Sequence, residues 1–242
     1  MITTGKHDRL RTRGGTRARV LEATLGLFNE RGPDRVTTAE IARTVGINEG
    51  NLYYHFRTKE SLVLALFARF EADAETFAAR ALGGGAGEAQ TYGDLLSDLF
   101  RLVWAYRFLF RDLLALAGTM PSLATPIRKI SVRMRGDVEA LLRRMIEDQI
   151  VNVPKDDIEP LLANVWMVST YWAVYLNLQE GIDELDAGHL DWGLNQVSHL
   201  FKPYLVPMGG DGVLPLSGHV RLRKASEGNE NLGQIVSKWV QA

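Results

Sequence analysis

The sequence predicts an all-α protein with a three-helix N-terminal head and a roughly six-helix body. Apolar residues recur every three or four positions through most of the 242 residues, which is the spacing of amphipathic helices. No stretch keeps the strict alternation of a half-buried strand, and no internal repeat is visible. Glycine and proline divide the periodic runs into segments of helical length.

Composition narrows the possible classes of protein. The chain has no cysteine, so disulfides, thiol catalysis and cysteine-ligated metals are excluded. Its 46% apolar and 24% charged content is ordinary for a globular protein. No apolar run approaches the roughly 18 residues of a membrane span, and no apolar segment follows the basic N-terminus. We therefore expect no membrane partner and a cytoplasmic location.

The net charge of -1 hides an asymmetry between the two ends of the chain. Residues 1 to 60 hold eleven Lys or Arg and seven Asp or Glu, a net charge of +4, which leaves -5 for residues 61 to 242. A local excess of positive charge is what neutralisation of DNA phosphates requires. The head is therefore the part of the chain to search for a nucleic-acid interface.

A flexible basic arm, residues 1 to 15, is predicted to precede the first helix. Its four Lys or Arg residues and its glycine pair suit either a solvated terminus or a DNA contact. From Thr16 to Arg31 apolar residues recur at helical spacing, and Gly32-Pro33 ends the run. Arg17 opposes the dipole of this helix from its first turn, which indicates either a nearby phosphate or a solvated face.

Residues 37 to 60 predict two short helices joined by a tight turn, followed by a third helix. Thr37 is a good N-cap, and Glu40 three residues later would complete a capping box. Gly46 follows the last apolar position as a left-handed helix end, and Asn48 caps the next helix. So short a connection forces a steep crossing, which is the helix-turn-helix arrangement. Its second helix enters the DNA major groove.

The second of these helices, from about Glu49 to Phe56, has one apolar and one polar face. Leu52 and Phe56 lie four residues apart and are expected to pack on the preceding helix. On the polar face Asn51 has the chemistry to read adenine, while tyrosine and histidine reach phosphates or thymine methyl groups. Packing roles for the tyrosines stay open at this point.

The residues from 37 to 62 follow a recognisable order: a threonine pair, Ile-Ala, Val-Gly-Ile, a small polar cap, Gly-x-Leu-Tyr-x-His-Phe and Lys-Glu-x-Leu. This order resembles the DNA-binding signature of the tetracycline-repressor-like (TetR/AcrR) family of bacterial transcriptional regulators, over about residues 16 to 66. Thr58 would cap the third helix of the signature, and Lys59 would lie in its first turn, where a phosphate fits.

The resemblance implies which residues touch DNA. The contact positions of the family fall here on Glu49, Gly50, Asn51, Tyr53, Tyr54, His55 and Lys59, with Thr37 and Thr38 near phosphates. Ala39 stands where some members carry a long side chain that reaches bases, so fewer groups would set operator specificity. Glu49 either accepts from a cytosine amine or keeps wrong sequences out.

Residues 61 to 206, between the head and the C-terminal tail, are predicted to form the body. It should contain one helix over 61 to 82, two over 92 to 116 with a kink or break near Arg107, and one each over 126 to 150, 158 to 180 and 186 to 205, with Pro126 opening the helix over 126 to 150. The glycine run from 83 to 87 is interpreted as a flexible loop, because it lacks the strand and the Lys-Ser/Thr of a phosphate-binding loop. We assign no function to the tail, residues 207 to 242.

Two functions are expected of the body. One helix-turn-helix per chain makes few base contacts, so DNA affinity requires two copies about 34 Å apart and hence a homodimer; the resemblance places the dimer contact on the last two helices. It also implies a cavity for a small apolar or aromatic effector. The expected ligand-binding residues are Trp104, Phe108, Met134, Trp166, Tyr171, Trp172 and Tyr175, although such stripes also build ordinary cores.

The function that the resemblance implies is a repressor that binds a palindromic operator and is released by its effector. A transcriptional activator of the same fold and a helical small-molecule-binding or adaptor protein remain alternatives. An enzyme is not expected, because no nucleophile elbow or His-Glu-x-x-His motif occurs and the five histidines lack metal-ligand spacing. No cofactor is expected.

Overall fold

The computed structural model describes residues 15–83, 92–111, 113–182 and 185–206. Within these ranges it contains ten α-helices, one short 3-10 helix and no β-strand, apart from an isolated bridge between Val151 and Leu205. The prediction of an all-α fold is therefore confirmed. The predicted basic arm up to residue 14, the glycine-rich loop beyond Gly83 and the tail from residue 207 lie outside the described residues.

The chain divides into two compact units, which we call the head and the body, between Leu66 and Phe67. The head contains α1 (Thr16–Arg31), α2 (Thr38–Val45), α3 (Glu49–His55) and the start of α4 (Lys59–Gly83). The body contains the rest of α4, α5 (Tyr92–Ala105), α6 (Arg107–Arg111), α7 (Leu113–Thr119), α8 (Pro121–Glu147), α9 (Lys155–Glu180), α10 (Ala187–Phe201) and the 3-10 helix Lys202–Tyr204.

The head buries apolar residues from each of its four helices. The predicted first helix has the bounds expected from its spacing and from the Gly32-Pro33 stop. Leu52 of α3 is completely buried and Phe56 nearly so, as the four-residue spacing predicted. The other buried apolar residues of this unit are Val20, Leu21, Leu25, Phe28, Val36, Ile41, Ala42, Leu62, Val63 and Leu66.

Helix α8 begins earlier than the sequence indicated. We expected Pro126 to open this helix, but α8 starts at Pro121 and Pro126 lies inside it. A proline in the second turn removes one backbone N–H donor. The helix persists through that loss because a face containing Leu123, Ile130 and Leu142 is buried along its length.

Helix α9 likewise starts before its predicted first residue, at Lys155 instead of residue 158, with Pro160 inside the helix. Asp156 and Asp157 lie in its first turn, where negative charge favours the helix dipole. The predicted break near Arg107 is confirmed, since α5 ends at Ala105 and α6 begins at Arg107. The separate helix α7 was not predicted.

The body core forms where α5, α8, α9 and α10 meet. Trp104 of α5 stacks on Trp172 of α9, with ring centroids 5.8 Å apart. Gly193 lies close against the Trp172 ring, because a Cβ added to Gly193 would come within 2.7 Å of the nearest ring carbon, Cδ2. Only glycine permits so close an approach of α10 to this indole.

Helix α10 begins with a reciprocal capping box. The Asp186 side chain accepts from the His189 backbone N–H at 3.0 Å, and the His189 Nδ1 accepts from the Asp186 backbone N–H at 3.0 Å. The His189 side chain is almost fully buried. This histidine therefore serves as a helix cap.

We expect Gly193→Ala to lower the free energy of unfolding by about 1–3 kcal/mol, because the added methyl overpacks the Trp172 ring. Gly136→Ala on α8 is the matched control, since a Cβ there meets no atom within 4 Å; it should raise stability by up to about 1 kcal/mol through helix propensity. Urea unfolding followed by circular dichroism measures both. Equal effects of the two substitutions would contradict the close approach of α10 to α9.

Candidate functional site: a nucleic-acid interface and an apolar cavity

The turn between α2 and α3 is built as the sequence predicted. Thr37 Oγ1 accepts from the Glu40 backbone N–H at 3.2 Å, and Asn48 Oδ1 accepts from the Asn51 N–H at 2.7 Å. Gly46 has φ 74° and ψ 38°, the left-handed conformation that terminates α2. The Glu40 carboxylate, expected to complete a capping box, forms an ion pair with Arg31 at 2.7 Å.

Two arginines of α1 hold the neighbouring elements of the head. Arg19 Nη2 donates to the carbonyl oxygen of Val45 at 2.7 Å, so it caps the C-terminus of α2 with a positive charge. Arg17 lies over the ring of Phe56, with the guanidinium carbon 4.9 Å from the ring centroid. The unfavourable charge of these residues in the first turn of α1 thus has a structural use within the head.

Helix α3 presents most of the predicted DNA contacts to solvent. Glu49, Gly50, Asn51, Tyr53 and Tyr54 are exposed, and His55 is half-buried. Tyr54 has 85% of its surface accessible, against 44% for Tyr53. An aromatic side chain that is so exposed adds nothing to the core.

A hydrogen bond between a threonine of α2 and a tyrosine of α3 connects these two helices next to the exposed face of α3. Thr38 Oγ1 and the Tyr53 hydroxyl lie 3.0 Å apart in a hydrogen bond, so the structure brings together two residues that the family resemblance assigned to DNA. Tyr54 packs edge-on against His55, with ring centroids 5.2 Å apart. The resulting surface contains hydroxyl, amide, imidazole and aromatic groups, which suit phosphates and base edges.

Lys59 has a structural role that the sequence did not indicate. Its Nζ donates to the carbonyl oxygen of Pro33 at 2.8 Å and approaches that of Val36 at 3.4 Å. Thr58 caps α4 as predicted, because Thr58 Oγ1 accepts from the Ser61 N–H at 3.0 Å and the Ser61 hydroxyl accepts from the Thr58 N–H at 3.3 Å. The ammonium group therefore anchors the loop between α1 and α2 to the start of α4.

The body contains an apolar cavity between helices α4 to α9. Most of the residues in its wall were not predicted from the sequence, and most of these are phenylalanine, leucine, valine or isoleucine. The described lining residues are Phe67, Phe70, Leu99, Val103, Leu109, Phe110, Leu113, Ile127, Ile130, Ser131, Met134, Arg135, Val138, Leu162, Val165, Trp166, Ser169 and Thr170. A mostly apolar wall with a few polar groups is typical of a small-molecule site.

Met134 and Trp166 are the two predicted ligand-binding residues that lie in the described wall. Trp104 and Trp172 stack in the core, and Phe108 is fully buried. Tyr171 meets Trp166 edge-on, with ring centroids 6.0 Å apart. Those four residues, together with Tyr175, are not among the residues that line the cavity as described.

Tyr175 belongs to an exposed apolar stripe on α9. Met167, Tyr171, Tyr175 and Leu178 follow one another at spacings of three or four, which places them along one side of the helix. Met167 and Tyr175 are each 48% exposed and Leu178 is 72% exposed. Trp192 of α10 stacks on Tyr175 with ring centroids 5.6 Å apart, so the surface extends onto α10.

Two kinds of site are not found among the described residues. No group of three or more His, Asp or Glu side chains there is placed to hold a metal ion. Nor does any described helix have the length and hydropathy needed to cross a membrane.

Comparison with known proteins covers the head and the body separately. Residues 20–66 match the family of bacterial regulatory proteins of the tetR type, and residues 69–212 match a bacterial transcriptional repressor family, TetR. Among solved structures, a TetR-family transcriptional regulator from Marinobacter aquaeolei is 30% identical, with a TM-score of 0.67 over 80% of this chain and 93% of the other.

Two curated relatives match a short stretch of this chain. The nucleoid occlusion factor SlmA of Haemophilus ducreyi is 47% identical over 53 residues, and the transcriptional regulator TtgR of Pseudomonas putida is 45% identical over 51 residues. These matches span about a fifth of this chain (22% and 21%) and a quarter of each relative (26% and 24%).

A helix-turn-helix head together with an all-helical body that contains an apolar cavity, both matched by these family models, indicates a ligand-responsive bacterial transcriptional regulator. Because both units match models of the same family, which together span most of its length, the chain belongs to the TetR family. Members of this family are DNA-binding regulators and not enzymes.

The position of Lys59 leads to a prediction about stability. Lys59→Ala should lower the free energy of unfolding by about 1–3 kcal/mol, because the Pro33 and Val36 carbonyls lose a charged donor in a partly buried site. Tyr54→Ala, in the same head, should change it by no more than about 0.5 kcal/mol. Urea unfolding compares the two variants. A Lys59→Ala protein as stable as the wild type would show that the ammonium is free for other contacts.

Proposed function

We propose that this chain is a repressor that binds a palindromic operator as a homodimer and is released by a small apolar effector. The proposal that the chain binds DNA rests on the exposed face of α3, where Tyr54 is 85% accessible. The turn at Gly46 and the Asn48 cap hold this helix in place. The family description, a bacterial transcriptional repressor, supports repression over activation. A cytoplasmic location follows from this role.

The proposed DNA contacts keep the residues assigned from the family resemblance, with different roles for some. Tyr54 and Asn51 reach bases or phosphates from α3, and Glu49 meets base edges only, while Thr37 and Thr38 lie at the start of α2. Arg17 and Lys59 have partners within the head. Their charges still contribute to the positive potential of the head. Their side chains mainly hold other parts of the head in place.

The proposed dimer contact is the exposed stripe on α9 with the adjoining part of α10. Monomeric proteins rarely expose a contiguous row of large apolar side chains, and this row contains Met167, Tyr175 and Leu178 on one side of a long helix. Antiparallel or crossed packing against the same stripe of a second chain would bury it, as an isologous interface requires.

The proposed effector site is the cavity in the body. The effector shifts an equilibrium between two dimer forms, of which only one spaces its recognition helices for successive major grooves. An effector that binds the other form more tightly lowers DNA affinity by that difference in affinity. The apolar wall around Phe70, Phe110 and Met134 favours a largely hydrocarbon molecule.

Tyr54→Ala should weaken binding to operator DNA by roughly tenfold or more. Each lost base or phosphate contact costs about 1–3 kcal/mol, and a dimer loses one such contact in each of its two chains. Fluorescence anisotropy with fragments flanking the protein's own gene, at two salt concentrations, measures it. Val132→Ala, at a 69% exposed site on α8, is the control and should bind normally. Unchanged affinity in Tyr54→Ala would remove α3 from the interface. Absence of any specific DNA binding would favour the adaptor alternative.

Leu178→Asp should raise the dimer dissociation constant at least roughly tenfold, because a carboxylate would be buried without a partner in the proposed contact. Analytical ultracentrifugation over a concentration series gives the constant. Val132→Asp places the same charge at a similarly exposed position on α8 and should leave the dimer intact. A dimer equally stable in both variants would exclude the α9 stripe from the contact.

A further inference from the structure

Helical serine and threonine residues in this chain usually satisfy their hydroxyl groups within the helix. Ser131, Ser97, Ser198 and Thr24 each donate to the carbonyl oxygen four residues earlier, at 2.7 to 2.9 Å. This bond removes the need for an outside partner. The proton of such a hydroxyl is therefore not available to a carbonyl oxygen of a ligand, because a hydroxyl has only one proton to donate.

Ser169 departs from that pattern. Its Oγ is buried, and among the described residues it has no hydrogen-bond partner. Burial of a hydroxyl without a partner is unfavourable, so each such group in a native structure calls for an explanation. Ser169 also lies in the wall of the body cavity, on α9 beside Trp166 and Thr170.

No hydrogen bond to a described residue holds the Ser169 hydroxyl in its present rotamer. Rotation about χ1 to another staggered position therefore costs no such bond. The residue is half-buried as a whole and already forms part of the cavity surface. A ligand in the cavity would thus supply the missing partner after one side-chain rotation.

The charge of the wall selects a neutral ligand. Among the described lining residues only Arg135 is charged. Its Nη2 forms an ion pair with Glu159 Oε2 at 2.5 Å. Both side chains of the pair are well exposed, so the guanidinium is solvated as well as neutralised. An anionic ligand would have to give up its hydration for an arginine that already has a partner.

We infer that Ser169 is the polar anchor of the effector site and that the effector is a neutral, largely hydrocarbon molecule with one hydrogen-bonding oxygen. This rests on the proposed use of the cavity as the effector site. Ser169 holds the oxygen of a carbonyl or hydroxyl group, while the apolar wall holds the remainder. Ser131, which lines the same cavity with its hydroxyl already bonded to Ile127, does not discriminate.

Two probes of nearly the same shape test the anchor: 2-acetylnaphthalene, which has a carbonyl oxygen, and 2-ethylnaphthalene, which has none. The full-length protein and its Ser169→Ala and Ser131→Ala variants are titrated with each, by quenching of tryptophan fluorescence. The quantity compared is the ratio of the two dissociation constants in each protein, because a ratio removes the general hydrophobicity of the probes.

In Ser169→Ala the ratio should shift about tenfold toward the hydrocarbon, which is the size expected for loss of one hydrogen bond to a buried group. In Ser131→Ala it should stay within about twofold of the wild type. A ratio unchanged by Ser169→Ala, with 2-ethylnaphthalene still bound, would overturn the anchor and leave the proposed cavity function standing. Failure of the wild type to bind either probe would overturn the cavity function and the anchor together.

Two further readouts bear on the same assignment. Ser169→Ala should be at least as stable as the wild type without ligand, since it removes an unsatisfied buried hydroxyl; a clear loss of stability would show that the hydroxyl already has a structural partner. The anion 2-naphthoate should bind the wild type more weakly than 2-acetylnaphthalene at neutral pH. Tighter binding of 2-naphthoate would overturn the neutral class of ligand.

Discussion

The orientation of α3 depends on the short turn between α2 and α3. Gly46 adopts a left-handed conformation that an L side chain rarely accepts, and Ile47 is the only residue between it and the Asn48 cap. The cap and the Thr38–Tyr53 hydrogen bond then fix the axis and the rotation of α3. With Leu52 and Phe56 buried, the opposite face of the helix is directed outward, and Tyr54 lies on it. The proposed DNA contact is a consequence of this local geometry.

A comparable constraint organises the body. Its large aromatic residues fill one part of the interior, the core, and leave another part, the cavity, open. Gly193 lets α10 approach the Trp172 ring, and Trp104 stacks on that ring. These bulky side chains fill the region where α5, α9 and α10 meet. The cavity lies elsewhere along α9, beside Leu162, Trp166 and Ser169.

The sequence predicted elements that depend on local signals. Caps at Thr37, Asn48 and Thr58 and the stop at Gly46 are properties of a few neighbouring residues, and the structure contains all four. Pro126 misled the prediction of the start of α8, since the cost of one lost hydrogen bond was smaller than the benefit of burying a long apolar face.

Residues whose role depends on distant partners could not be predicted in the same way. The acceptors of Lys59 lie 26 and 23 residues away, and those of Arg19 lie 26 residues away. Aromatic content drew attention to Trp104 and Trp172, which stack in the core, whereas the aromatic residues of the described cavity wall are Phe67, Phe70, Phe110 and Trp166. Nothing in the sequence distinguished Ser169 from other helical serines. Its missing partner is visible only when the neighbouring helices are in place.

The central claim is that a dimer of this chain inserts its two α3 helices into the DNA major groove at two half-sites at the same time. The most direct test is selection of bound sequences from a random double-stranded DNA library with the purified, ligand-free protein. The account predicts enrichment of a palindrome whose half-sites are separated by one helical turn or a multiple, about 34 Å centre to centre for one turn. Enrichment of an isolated half-site, or of no sequence at all, would contradict it.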